Sequence, residues 1–411
     1  MEAYGLEDRF LLLGLRENPY PYMKAADAVT VLSDYESWSM VITEAKILGI
    51  PVISTPTSGA LEQIEDGETG ILTGFDAESI ADRIEAFLRD AELREKIRHN
   101  LTGFDNTQDI LNSFHRLVSG ENQVSKQSNS KILYIIDDIN YSGGAHIATK
   151  LQIGELLKTK HDVTIFSNKR PVLAVRNELS GANFLSWWAV KADKVFSARL
   201  LYCLRSHTLT KSEKRYKMKM SRYSRRKEPK AELSTFEKYV LPRTADIFSS
   251  YDIVCVMSEG SNFKQAVANC AAKRKIQWIH TDYCYWRNTT EWSRKSTKSD
   301  GEIWKSYDTI VVLAENIRQS MVELYPHLRD KITVLRNIVP IGKIRSNAEI
   351  RSKKNIPVHF VTVGRVDFSK DYKRLAIILA GLLKEGYCFT WTAKISKRYA
   401  RNLVNWDWKT L

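Results

Sequence analysis

Long apolar runs are missing from this sequence. No stretch approaches the ~18–20 consecutive apolar residues that a membrane-spanning helix needs, and the opening residues MEAYGLEDRF carry charges where a secretory leader would have an apolar core. The expected location is the cytoplasm, with peripheral attachment at the inner membrane face as its extension. Cysteine is scarce as well. Cys203, Cys255, Cys270, Cys284 and Cys388 are odd in number and never spaced C-x-x-C, which argues against a disulfide framework and against a zinc site. There is no short tandem repeat. What remains is an ordinary soluble composition, with 43% hydrophobic and 27% charged residues, so collagen-like, coiled-coil and wholly disordered readings fall away. At 411 residues the chain suits two or three domains of ~100–200 residues each.

Charge of one sign is short at each end in turn. Residues 1–126 hold 11 Lys and Arg against 22 Asp and Glu, a net of −11, and residues 127–411 carry +25. Such asymmetry suggests separate domains in different surroundings, the basic part attracting phosphate-rich partners. The densest basic run, KSEKRYKMKMSRYSRRKEPK (211–230), holds ten Lys and Arg against two Glu. Just upstream, FLSWWAVKADKVFSARLLYCLR mixes aromatic and basic residues in a manner suited to a lipid interface. A solvated helical hairpin, an anionic membrane contact through residues 187–230 and a nucleic-acid contact are the three readings of this region. No nucleic-acid motif accompanies the charge, so nucleic acid is not the expected partner.

The front of the chain alternates strand and helix patterns. RFLLLGL (9–15), AVTVLS (28–33), PVISTP (51–56) and GILTG (70–74) read as strands, and SMVITEAKILG (39–49) as a helix. Apolar residues at helical spacing over 77–101 and 105–118 close this piece with helices. The polar stretch SGENQVSKQSNS (119–130) reads as a linker. Beyond it, KILYIIDDI (131–139) followed by YSGGAHIATKLQIGELL starts a fresh Rossmann-like strand, glycine turn and helix. Further strands are expected over 251–258, 275–280, 307–314 and 331–337. VHFVTVGRV (358–366), KRLAIILAGLLKEG and YCFTWTA then form another strand, helix and strand. The fold class is α/β, built on doubly wound parallel sheets.

The segment DYESWSMVITEA (34–45) sits at a strand-to-helix junction. Glu36 and Glu44 stand eight positions apart, the first in the loop and the second inside the helix, so both can border a pocket at the helix start. The amides near Ser37, Ser39 and Met40 suit an anion such as a diphosphate. Glu44 can accept both hydroxyls of a ribose and Glu36 can meet sugar hydroxyls; by spacing alone, two surface glutamates flanking a helix start read equally well.

Taken together, E-S-W-S-M-V-I-T-E-A, GIPVIST and SGALEQIEDGETGIL resemble the donor-nucleotide half of the retaining GT-B glycosyltransferases of family four, the glycosyl transferases group 1. The resemblance covers roughly residues 1–118. It implies that Glu36 faces the donor sugar and Glu44 the nucleotide ribose, on two Rossmann-like domains facing a cleft. VGRVDFSKDYKRLA (363–376) resembles the opening segment of the same donor domain. There Arg365 and Lys370 are implied to clamp the diphosphate, two fixed cations for a leaving group that gains negative charge; Asp371 departs from the family's usual glycine. Residues 131 to about 345 resemble the acceptor side. Gly143 and Gly144, after Ser142, form its first glycine turn, and His280 in WIHTDY is implied near the transferred sugar, with Asp282 as a candidate to orient it. No metal and no cofactor is expected; the donor is a nucleotide-sugar, and the acceptor a glycan or lipid-linked acceptor.

The order of these pieces departs from the family, in which the acceptor domain comes first. The expected layout is 1–118 as the C-terminal part of a donor domain, 119–130 as linker, 131–345 as the acceptor side, and 346–411 as a truncated N-terminal part of a donor domain. Two accounts fit. In the first, remnants of two transferases are fused, fold and bind nucleotide without turnover. In the second, the two end segments rejoin into one donor domain, as doubly wound sheets are defined by strand neighbours rather than chain order.

Overall fold

The structure is a computed structural model and describes residues 10–13, 16, 18–119, 129–141, 143–167, 169–186, 241–349, 359–364, 372–384 and 390–394. The chain divides into two compact units. The first takes residues 1–112, 313–317 and 336–411, and the second takes 113–312 and 318–335.

The first unit is built on one parallel sheet drawn from both ends of the chain. Strands β1 (Phe10–Leu12), β2 (Ala28–Val31), β3 (Val52–Ser54) and β4 (Ile71–Leu72) come from the front. The tail supplies β12 (His359–Val363) and β13 (Thr390–Lys394). The order is β1-β13-β12-β2-β3-β4, so the tail strands lie between two strands that are neighbours in the sequence. Phe360 pairs with Ala28 and Thr362 with Thr30, and the hydroxyls of Thr30 and Thr362 are hydrogen-bonded across that seam.

Both faces of this sheet are covered, and both cores mix the two ends. On one face Ile53, Ile71, Ile84 and Phe87 pack with Phe360, Leu375, Leu379 and Leu382. On the other, Val29, Ile42, Ala45 and Val52 pack with Val339, Ile344 and Val361. Burying a side chain of this size contributes about 1.5–3 kcal/mol, so neither end segment can bury its apolar face without the other. This packing also explains where the division departs from the expected boundaries at 118 and 345. Ile341 and Ile344 belong to the first unit's core, whereas Phe114 packs against Trp278 with tilted rings 6.4 Å apart within the second unit.

Local chemistry sets the helix limits. The periodic stretch 77–101 is two helices, Ala77–Arg89 and Ala91–Asn100, because Asp90 leaves helical geometry and its carboxylate accepts from the Leu93 amide at 2.8 Å. Asp76 caps the first of them in the same way, accepting from Ser79.

The second unit carries β5 (Lys131–Ile136), β6 (Asp162–Ser167), β7 (Asn183–Ser186), β8 (Ile253–Val256), β9 (Arg274–Trp278), β10 (Thr309–Val312) and β11 (Ile332–Val334). Every pairing is parallel, in the order β11-β10-β9-β8-β5-β6-β7. Phe184 to Ser186, read from composition as the start of an interfacial segment, form β7. The proposed interfacial and basic stretch 187–230 lies outside the described residues. Among the described residues no helix is long and apolar enough to cross a membrane.

Candidate active site

In an open parallel sheet, ligands bind beyond the carboxyl ends of the strands where the winding direction reverses. In the first unit the reversal falls between β12 and β2, since β12 leads outward to β13 and β2 leads the other way to β3. The loop after β2 contains Glu36 and Ser39. The connection after β12 contains Arg365 and Lys370, which lie outside the described residues. The ends of the two segments meet, because Arg374 forms an ion pair with Asp34 and donates to the Phe75 carbonyl.

Glu36 is half-buried and accepts from the Ser33 hydroxyl at 3.3 Å. Its carbonyl accepts from the Gly59 amide at 3.0 Å. Gly59 must be glycine here, because a Cβ would lie 2.4 Å from the Ser37 oxygen and 2.8 Å from the Trp38 Cα. The start of the Ser58–Gln63 helix is thus pressed against the loop that carries Glu36. The Arg336 guanidinium lies over the Trp38 ring, 4.8 Å from its centre.

Ser39 precedes the Met40–Ile47 helix in extended geometry and makes no side-chain cap bond. The first-turn amides therefore receive no cap from Ser39, the condition an anion site at a helix start requires. Glu44 is more than a turn inside. It accepts from the Tyr20 hydroxyl at 3.2 Å, and burial, then the Glu44 charge, push the Tyr20 phenol well above its usual range. Glu36, Ser39, Met40 and Glu44 are thus carried on one loop and helix of the first unit.

In the second unit the winding reverses between β5 and β8, and a cavity of about 240 Å³ opens at their carboxyl ends. Asp137, Asp138, Tyr141, His146, Thr149 and Ser258 help to line it. Gly143 lies under the Tyr141 ring, which a Cβ would meet at 2.7 Å. Gly143 and Gly144 start the Gly144–Leu157 helix without a side-chain cap. Tyr141 in turn stands edge-on to His146, with 4.9 Å between ring centres. Burial, then the charges of Glu259 and Asp138, raise the Asp137 carboxyl to about 6.

His280 lies two residues past β9 and is buried. Burial, then the neighbouring His146, lowers its imidazole to about 3, so the ring is neutral at physiological pH. Asp282, expected to orient His280, caps the short Tyr283–Trp286 helix and accepts from the Tyr285 amide at 3.2 Å. The group that holds the His280 main chain is Glu259. Sequence reasoning passed over Glu259 and Asp137; the doublet Asp137-Asp138 at the end of a strand before a glycine turn was the available signal.

Comparison with known proteins follows the same division. Residues 1–102 match the family model "Glycosyl transferases group 1", so the likeness read from the Glu36 to Glu44 motif is found again over the front of the chain. The chain is 36% identical over 93 residues to N-acetyl-alpha-D-glucosaminyl L-malate synthase of Bacillus anthracis, covering 22% of this chain and 24% of that protein. It is 42% identical over 66 residues to the capsular polysaccharide biosynthesis glycosyltransferase CapM of Staphylococcus aureus, covering 16% and 17%. The chain thus spans about a quarter or less of the length of these relatives. Among solved structures, S. aureus TarM aligns at 13% identity and a TM-score of 0.41, over 67% of this chain and 75% of that one.

Proposed function

We propose that the chain is a retaining glycosyltransferase that moves a sugar from a nucleotide-diphospho-sugar to a polysaccharide or lipid-linked acceptor in cell-surface glycan synthesis. One observation carries the reading. The two segments with donor-type motifs, from opposite ends of the chain, share one sheet, and that sheet reverses between the strands that precede them. This supports rejoined ends over a fused remnant, because a remnant has no need to interleave its strands.

In this reading the helix-start amides at Ser39 and Met40 receive the diphosphate, with Arg365 and Lys370 supplying the neutralising charge. Glu44 takes the ribose hydroxyls and Glu36 the donor sugar. As the bond from the anomeric carbon to the phosphate oxygen breaks, its electron pair goes to the diphosphate, the group these cations and amides stabilise. The second unit supplies the acceptor side through its glycine turn and neutral His280, and residues 187–230 approach an anionic inner membrane face.

The test is release of nucleoside diphosphate from a panel of UDP- and GDP-activated hexoses, with and without glycan acceptors. Turnover that vanishes in Glu36→Ala and Lys370→Ala is expected. Turnover unchanged in both variants, or no release from any donor, defeats the proposal.

A further inference from the structure

The turn that carries His280 is held from two sides, both starting from Glu259 in the loop that follows β8 and the second continuing through Lys264 at the start of the Lys264–Asn269 helix. The last ladder bond of β9's extension runs from the Ile279 amide to the Val311 carbonyl at 2.9 Å. Beyond it the sheet has ended, and a side chain takes over. One carboxylate oxygen of Glu259 accepts from the Thr281 hydroxyl at 2.6 Å, and the other from the His280 amide at 3.4 Å. Glu259 is buried, with 6% of its surface exposed.

The opposite side of the same turn is fixed through the main chain of Glu259. Its carbonyl accepts from Lys264 Nζ at 2.6 Å. Lys264 is ion-paired with Asp300 at 2.5 Å, and the other Asp300 oxygen accepts from the Tyr283 hydroxyl at 2.8 Å. Lys264, Asp300 and Tyr283 are all buried. The segment 280–283 is therefore tied at one end by the Glu259 side chain and at the other by a buried chain of hydrogen bonds and one ion pair that starts at the Glu259 carbonyl. A buried ion pair gains little net stability, but a closed set of bonds around one turn fixes its geometry.

We infer that Glu259 is a positioning residue that sets the His280 turn through Thr281 and the His280 amide, with Lys264, Asp300 and Tyr283 bracing the turn from its far side. The inference rests on the reading of His280 as an active-site residue. The hydroxyl of Thr281 is the contact to probe, since valine removes it at nearly constant shape and serine keeps it.

With the donor that the full-length chain turns over best, Thr281→Val is expected to lower kcat about tenfold, with KM for the nucleotide-sugar changed less than about twofold, because a displaced group costs rate before binding. Thr281→Ser is expected to restore kcat and keep the parental melting midpoint, while Thr281→Val, which leaves the buried Glu259 carboxylate one donor short, is expected to melt a few degrees lower yet remain folded at the assay temperature. Parental kcat in Thr281→Val, or a loss that serine does not restore, overturns the inference. A second readout works without turnover. The His280 ring Cε1–H resonance is expected to move in Thr281→Val and Glu259→Gln while that of His161 stays. If no donor is turned over, the proposed function fails and this resonance decides the positioning; an unmoved His280 signal overturns it.

Discussion

The two units solve the same problem with different use of the chain. Both are doubly wound parallel sheets whose winding reverses next to a loop rich in polar side chains. In the second unit the seven described strands follow one another in the sequence between residues 131 and 334. In the first, the central seam joins Thr30 to Thr362, residues 332 apart. Closing a loop costs entropy only as the logarithm of its length, so pairing across that distance rather than about 30 residues adds only about 2 kcal/mol. Burial of Phe360, Leu375, Leu379 and Leu382 offsets that several-fold. The contrast teaches that strand neighbours and apolar faces define such a sheet, while chain order adds a small penalty.

The comparison is broken most severely by removing the tail. A chain ending before Arg336 is expected to lose hydrogen-exchange protection over 28–101 while β5, β8 and β9 keep theirs, because among the described residues the tail supplies 6 of the 15 buried residues of one core of the first unit and 5 of the 17 of the other. Next is the buried pair of the second unit. Lys264→Ala leaves Asp300, which is fully buried, without its counter-ion and should cost about 3–5 kcal/mol in denaturant unfolding of that unit.

Asp137 comes third. Its folded carboxyl titrates near 6, above the usual 3.8, so the folded state holds the proton more tightly than the unfolded chain. The resulting stability is full below pH ~4 and is lost as pH rises through ~6, a change of about 3 kcal/mol. Asp137→Asn should flatten that fall between pH 4 and 6.5. His280 acts with the opposite sign, since its imidazole is depressed to about 3; the stability it contributes is present above its unfolded value and is lost as pH falls.

Gly59→Ala should cost about 1–3 kcal/mol in the first unit, because the new Cβ overlaps the Ser37 carbonyl. It should also weaken nucleotide binding beyond that stability loss, by displacing the Glu36 loop. Arg374→Met is the smallest. The ion pair with Asp34 ties the two ends of the chain, but Asp34 is 42% exposed, so its loss should cost at most about 1 kcal/mol in the same unfolding experiment.

Parts of this molecule were legible in the sequence for physical reasons. Apolar runs such as AVTV and KILYII have the length and β-branched content of buried strands, and the polar loop between AVTVLS and SMVITEAKILG marks a strand-to-helix junction. The break at Asp90 was hidden inside a continuous helical period, since a cap interrupts the backbone without interrupting the pattern. Glu259 was hidden for a different reason. In SEGSN it reads as an ordinary turn residue, and only the approach of Thr281 from the turn after β9 makes it a brace.

The sequence by itself determined the class of fold and the glycine-marked helix start at Gly144, because periodicity and glycine turns act over a few neighbouring residues. Only the tertiary structure decided that β12 lies beside β2 and that Gly59 has no room for a side chain. It also decided that Lys264, Asp300 and Tyr283 close around the His280 turn. Those outcomes depend on burial and on distances between residues far apart in the chain, and local patterning carries neither.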